Sequence, residues 1–374
     1  MSDEQGSRLW VSRADLRQAR AVPDPDAPAV RPLAEGEARL RIQRFALTAN
    51  NITYAAFGEA MHYWDFFPTG DAASGCIPVW GFAEVAESRA PGLAVGERCY
   101  GYWPMGRWLV LRPERIGTRG FVAGDAHRRE LPAVYNQVLR CAADPAYVAA
   151  QEAEQALLKP LFTTSFLIDD FIAGEDFFGA TQVLLSSASS KTGFAAAFCL
   201  ARRRGAVRVL GCSSARHLDF CRSLGVYDEV LAYDALSALD PRRRTLYVDF
   251  AGDAAFRREV HLHFGDALAY SCSVGATHWR AMGGAANLPG PKPELFFAPA
   301  HIARRSAPPP EGWGADVLNA RIGEAWAAFV QRVSQAEAPW LRVRDFAGAA
   351  AAREALAAMV EGRADPREGW MLSV

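Results

Sequence analysis

Residues Ser187-Ala-Ser-Ser-Lys-Thr-Gly193 crowd hydroxyls, one ammonium group and a glycine into a few positions. They follow an apolar stretch, Gln182-Val-Leu-Leu, and precede an apolar helical run that reaches Leu200. A tight turn between a buried strand and a helix aims backbone N–H groups at a pyrophosphate. Ser189, Ser190 and Thr192 can add hydroxyl donors and Lys191 a cation, while Gly193 lets the helix approach the strand. The opposite outcome is that these side chains block the approach and leave a degenerate site. The turn is not a P-loop, because Gly-x-x-x-x-Gly-Lys-(Ser/Thr) is absent.

A second strand, 206–212, runs into Gly211-Cys-Ser-Ser-Ala-Arg216. An NAD site places an acid at the end of this strand against the ribose hydroxyls. No Asp or Glu occurs here before Asp219. Ser213, Ser214 and Arg216 suit a 2′-phosphate instead, so the predicted cofactor is NADPH. A catalytic zinc needs three protein ligands. The seven cysteines are scattered, and His261 and His263 alternate as a poor ligand pair, so no metal is expected. Met61-His-Tyr-Trp-Asp-Phe-Phe-Pro68 is unusually aromatic. It either lines a substrate pocket or lid, or forms the local core of an enlarged loop. His62 and His278 are candidate acids or bases.

These groups must be positioned by alternating strands and helices. Strands are predicted at 182–187, 206–212, 229–232, 245–250 and 267–274, with helices at 192–204, 215–224 and 254–264. That alternation implies a parallel, doubly wound sheet. By the rule that ligands bind at carboxyl ends of strands, Val274, Gly275 and Ala276 would lie beneath a nicotinamide ring. The first part is β-rich: Glu37-Ala-Arg-Leu-Arg-Ile-Gln-Arg-Phe-Ala alternates as a half-buried strand does, with shorter candidates at Val79–Ala86, Arg98–Tyr102 and Trp108–Leu111. Later come a strand from Glu294, helices near 315–333 and 346–361, and a final strand, Trp370-Met-Leu-Ser-Val. At 374 residues and net charge −1, the chain has room for two domains and no electrostatic pull toward nucleic acid or a membrane surface. Apolar runs stop short of the roughly 18 residues a membrane span needs. Scattered cysteines and no visible secretory signal point to a cytoplasmic protein, and arginine in great excess over lysine to a bacterial source.

At this point the sequence resembles the medium-chain dehydrogenase/reductase superfamily, in its zinc-free quinone-reductase and enoyl-reductase branch, and within that a subfamily of unknown function. The likeness is carried by Glu37–Ala46, Pro78 to Val85, Val95-Gly-Glu-Arg-Cys-Tyr-Gly, Leu161-Phe-Thr-Thr-Ser, residues 181–234, Val248-Asp-Phe-Ala-Gly252 and Phe346-Ala-Gly-Ala through Trp370-Met-Leu-Ser-Val. It implies an α/β chain: a GroES-like β-barrel catalytic domain over 1–155, a Rossmann doubly wound parallel-sheet cofactor domain over 156–306, and a C-terminal return over 307–374. The phosphate turn departs from the family pattern Gly-Ala-x-Gly-Gly-Val-Gly, of which Gly193 survives. Zinc-dependent relatives carry Gly-His-Glu where this chain has Gly81-Phe82-Ala-Glu84. The resemblance further implies that Thr164 stands near the nicotinamide ribose, that Arg216 and Tyr233 hold the 2′-phosphate end, and that Gly252 borders the cofactor. Tyr54 is implied as proton donor and Asn51 as a residue that orients substrate, with His278 as a further candidate. The expected activity is NADPH-dependent hydride transfer to an activated C=C or C=O of a small hydrophobic substrate. A homodimer through the strand near Phe296 is also implied. Two other classes stay open: a cofactor-free binding or scaffold protein, and a non-redox lyase or isomerase.

Overall fold

The computed structural model describes residues 6–203, 205–274 and 288–374. In chain order the first region contains β1 (Ser7–Ser12), β2 (Ala19–Pro23), β3 (Ala38–Leu47), α1 (Ala49–Ala56), β4 (Ser74–Gly75), β5 (Pro78–Ser88), β6 (Arg98–Pro104), β7 (Trp108–Leu111), β8 (Pro113–Glu114), β9 (Gly120–Ala123), β10 (Gln137–Arg140) and the long α2 (Glu152–Gly174). The middle region contains β11 (Gln182–Leu185), α3 (Lys191–Ala201), β12 (Arg208–Ser213), α4 (Leu218–Ser223), β13 (Glu229–Ala232), β14 (Thr245–Asp249), α5 (Ala254–Phe264), β15 (Leu268–Ser273), β16 (Glu294–Leu295), α6 (Ala298–Ser306) and α7 (Ala315–Val333). The chain closes with β17 (Arg342–Ala347), α8 (Ala349–Val360) and β18 (Glu368–Ser373). It divides into two compact units, Met1–Leu157 with Leu341–Val374, and Leu158–Trp340.

The first unit is mostly antiparallel. Its large sheet runs β17-β18-β3-β5-β6-β10-β9-β8, with β7 on β3, beside a small sheet β2-β1-β4. In β3 the predicted alternation holds at Leu40 and Ile42, which are buried, and at the half-buried Arg41 and Gln43. It breaks at Arg39, a fully buried guanidinium that donates to the Asp26 carbonyl at 2.9 Å and pairs with Glu87. A buried charge persists only where it is paired and hydrogen-bonded in this way.

The second unit holds a six-stranded parallel sheet, β13-β12-β11-β14-β15-β16. Every residue of β11 is buried, as expected of a central parallel strand covered on both faces. Together the units form the predicted α/β pair, a GroES-like barrel and a Rossmann sheet. Residues 307–340, assigned by sequence to the C-terminal return, group with the sheet unit instead. The reason is aromatic: Phe162 of α2 stacks on Phe329 of α7 at 4.8 Å and meets Trp326 at 5.6 Å, and Phe198 of α3 meets Phe329 at 5.2 Å. The strand near Phe296 is two residues long, and the chain turns into α6 within three residues. Phe346, expected to start a helix, lies in β17, parallel to β18.

Candidate cofactor site

The turn after β11 is tied to its own unit at each step. Ser187 sits in the left-handed region, with φ of 51°, and donates its N–H to the Tyr233 hydroxyl oxygen at 2.9 Å. Burial pushes that phenol up to about 12. Ala188 donates to the Cys212 carbonyl (2.9 Å) and accepts from the Tyr227 hydroxyl (2.7 Å). Ser190 is the N-cap of α3, its Oγ accepting from the Gly193 N–H at 3.1 Å. A Cβ on Gly193 would stand 2.5 Å from the Ser187 carbonyl oxygen, so only glycine lets the helix start there. Ser165, the last residue of the Leu161-Phe-Thr-Thr-Ser motif, reaches from α2 to give its hydroxyl to the Thr192 carbonyl at 2.8 Å.

Three of the predicted serines converge. The Ser213 hydroxyl donates to Ser189 Oγ at 3.1 Å. Both Ser189 Oγ, at 3.3 Å, and Ser214 Oγ, at 3.2 Å, meet Nδ1 of His217. His217 closes a 3₁₀ turn, Ala215–His217, directly after β12. Arg216 beside it is exposed, and Lys191 opens α3. The group therefore lies at the carboxyl ends of β11 and β12, where open α/β sheets bind ligands. Sequence reasoning missed the imidazole. The one signal was the three-residue spacing from Ser214, and the contact with Ser189 spans 28 positions.

The remaining predicted cofactor residues are placed as follows. Asp249, at the end of β14, accepts from the Gly252 N–H and the Ser186 hydroxyl, each at 2.9 Å, and pairs with Arg257 at 2.9 Å. Gly252 thus closes the Asp-x-x-Gly turn with φ of 67°. The Val274 N–H donates to the Asp249 carbonyl at 2.9 Å. Thr164 turns its hydroxyl back onto the Pro160 carbonyl within α2, at 3.2 Å. Gly275, Ala276 and His278 lie outside the described residues. His261 and His263 do take different partners: His261 meets Ser271 Oγ (3.0 Å) and the Pro289 carbonyl (2.9 Å), while His263 meets the Leu239 carbonyl (3.0 Å). Among the described residues no three His, Cys, Asp or Glu side chains gather as a metal would require.

In the first unit, Asn51 closes a capping box on α1. Its Oδ1 accepts from the Thr48 N–H at 2.7 Å and its amide donates to the Pro78 carbonyl at 2.9 Å. This carboxamide is committed to the fold, against the substrate-orienting role implied for it. Tyr54, one turn along, is buried and accepts from the Trp80 indole N–H at 3.2 Å. Its ring lies among Tyr63, Tyr102 and Tyr135, at 4.7, 5.5 and 6.1 Å, and burial raises its phenol. Tyr63 and Tyr135 share a hydroxyl contact of 3.1 Å. Arg128, a residue the sequence gave no reason to choose, is buried beneath them. It lies 5.3 Å from the Phe66 ring and 5.1 Å from Phe67, donates to Asn136 Oδ1 at 2.9 Å, and burial lowers it to about 10. The aromatic segment forms a 3₁₀ turn, Tyr63–Phe66, whose Trp64, Phe66 and neighbouring Phe67 are buried, so it is local core and not a lid. His62 is exposed and pairs with Asp65 at 2.9 Å.

Residues 45–365 match the family described as "Protein of unknown function (DUF2855)". The chain belongs to this family. Comparison with curated proteins finds no sequence match. Solved structures do share the fold of this family member. CurA from Vibrio vulnificus superposes with a TM-score of 0.61 at 14% identity, covering 99% of this chain and 98% of its own, and has also been solved in complex with NADPH (TM-score 0.60). The quinone oxidoreductase from Coxiella burnetii gives 0.58 at 12% identity, covering 99% of each chain. The yhdH oxidoreductase from Salmonella enterica, in complex with NADP, gives 0.52 at 13% identity over 98% of this chain and 99% of its own.

Proposed function

We propose that this chain is an NADPH-dependent reductase that works without zinc and reduces an activated C=C or C=O, as in an enone, quinone or enoyl ester of a small hydrophobic substrate. The observation that carries the reading is the convergence of Ser189, Ser213 and Ser214 beside Arg216 at the carboxyl ends of β11 and β12. Hydroxyl donors with an arginine and no carboxylate at the strand end suit a 2′-phosphate and not a bare ribose. The fold shared with CurA, solved with NADPH, and with the NADP complex of yhdH supports it. Bound NADPH supplies the hydride. Lys191, Ser189, Ser214 and Arg216 hold phosphate groups, and Tyr54, a phenol that is protonated at neutral pH as tyrosines ordinarily are and that burial raises further, gives the proton to the reduced substrate. Zinc independence is supported by Phe82, a buried phenyl ring on Tyr100 at 5.2 Å where a histidine ligand would be needed, and by Glu84, held by Gln43 at 3.0 Å.

A second reading, a cofactor-free binding or scaffold protein, rests on the same turn, whose Ser187, Ala188 and Ser190 already satisfy partners within the unit. Calorimetric titration with NADPH and NADH separates the two. Micromolar binding with NADPH preferred is expected. Arg216→Ala should then weaken NADPH about tenfold or more, since a charge-assisted hydrogen bond is worth about 1.5–3 kcal/mol, and leave NADH within about twofold. Binding of neither dinucleotide would establish the cofactor-free reading.

A further inference from the structure

We infer that His217 is a specificity-determining residue that couples recognition of a phosphate monoester to uptake of one proton. The inference rests on the NADPH reading above and concerns how the 2′-phosphate would be told from a bare hydroxyl. The geometry that carries it is the shared contact of Ser189 Oγ and Ser214 Oγ with one ring nitrogen, Nδ1, at 3.3 and 3.2 Å, while Ser213 donates to Ser189.

Each serine hydroxyl has a single hydrogen. When Nδ1 is unprotonated it accepts, so the hydrogens of Ser189 and Ser214 point toward the imidazole. The Ser213 hydrogen is already spent on Ser189. Such a cluster offers an incoming anion oxygen lone pairs and no donors. Starting from the neutral Nε2–H tautomer, in which Nδ1 is the acceptor, protonation of Nδ1 makes the imidazolium and reverses the direction: the ring donates, the Ser189 and Ser214 hydrogens swing outward, and a positive charge appears behind them. A phosphate dianion favours that state, and a ribose hydroxyl has little preference. Proton balance is simple, because one proton passes from solvent to the imidazole as the anion binds.

The neighbouring titratable groups leave this task to His217. Its own turn carries Arg216. On α4, Asp219 and Arg222 form a pair at 3.1 Å, and Lys191 opens α3. From the flanking elements come Cys221, pushed up to about 11 by burial, Tyr233, pushed up to about 12, and Tyr227, raised further by the same cause. Near neutral pH the thiol and the phenols, all raised by burial, stay neutral. Imidazole is the side chain among these types that changes charge between pH 5 and 8.

The test is calorimetry on the full chain with two probes, adenosine 2′,5′-bisphosphate and adenosine 5′-monophosphate, in two buffers of different ionisation enthalpy. At pH 7.5 the bisphosphate should take up a proton and the monophosphate none. Between pH 7 and 9 affinity for the bisphosphate should fall by up to about tenfold per pH unit, the limit set by one linked proton. His217→Gln keeps a hydrogen-bonding amide beside the serines and removes the titration. It should abolish the uptake, flatten the pH profile, and cut the preference for bisphosphate over monophosphate about tenfold, the loss of one charge-assisted contact. Bisphosphate binding without proton uptake, or uptake that persists in His217→Gln, overturns the inference and leaves the NADPH reading standing. If neither NADPH nor the bisphosphate binds, both fall together.

Discussion

Trp64 and Ser189 are buried to a similar depth, 3% and 8% exposed, yet their surroundings differ in kind. Around Trp64 the neighbours have been emptied to make room: a Cβ on Gly58 would collide with the indole at 2.0 Å, and one on Gly75 at 2.6 Å. Around Ser189 the neighbours supply hydrogen-bonding atoms whose donor and acceptor roles can be exchanged, through Ser213, Ser214 and His217. A cavity shaped to one apolar side chain specifies a fold. A cluster of hydroxyls on an imidazole has two arrangements, and such groups can respond to a ligand. Chemistry-bearing residue types crowd both regions, and the partners of those residues separate structure from function.

The largest effect should come from the side that is only structure. Trp64→Ala empties the space between the two glycines and should cost about 3–5 kcal/mol in denaturant unfolding, as large-to-small core changes do. Under conditions where the variant stays folded, its NADPH affinity should equal that of the parent. A drop in affinity would erase the contrast drawn here. Next comes Tyr54, in the same aromatic neighbourhood but with a proposed chemical duty. Tyr54→Phe removes the acceptor of the Trp80 N–H, costing about 1 kcal/mol of stability. It should lower turnover of any accepted substrate about a hundredfold or more, with cofactor affinity unchanged. Full turnover would return Tyr54 to the same class as Trp64.

The parallel sheet was legible because β11 and its neighbours read as short apolar runs with helices between them, a pattern that tertiary contacts reinforce. The barrel strand β3 was legible from alternation, even though Arg39 points inward, because one paired arginine does not disturb the period. The strand expected from Glu294 is present but short: it ends at Leu295, and Phe296-Phe-Ala-Pro, whose aromatic residues favour strands, leads into α6 with Pro299 in its first turn. Phe346 reads as helix because Ala-rich sequence follows it, and Arg342-Val-Arg-Asp-Phe-Ala lacks a clean alternation; its pairing with β18 makes it a strand. His217 was not legible for a different reason. Its meeting with Ser189 depends on the parallel pairing of β11 with β12, which brings Leu185 opposite Gly211 and is invisible in local sequence. Asn51 was given chemistry because carboxamides suit both substrates and helix caps, and only the Thr48 and Pro78 contacts choose between these.

Ser190 carries the same ambiguity at the centre of the proposed site, and its effect is the smallest and sharpest. Serine is favoured at helix N-caps for the reason it is favoured against phosphate: a short side chain with a hydroxyl near backbone N–H groups. In this structure its oxygen is taken by the Gly193 N–H at 3.1 Å. Removing it by Ser190→Ala should cost about 1 kcal/mol of stability, the usual worth of a cap. NADPH affinity should change by less than about threefold, since a cap loss of that size is felt by both free and bound protein. Ser189→Ala, measured alongside, should weaken NADPH by about tenfold while leaving NADH nearly unchanged, because it deletes one donor from the cluster on His217. If the two variants exchange behaviour, Ser190 is the phosphate ligand and Ser189 is the structural residue.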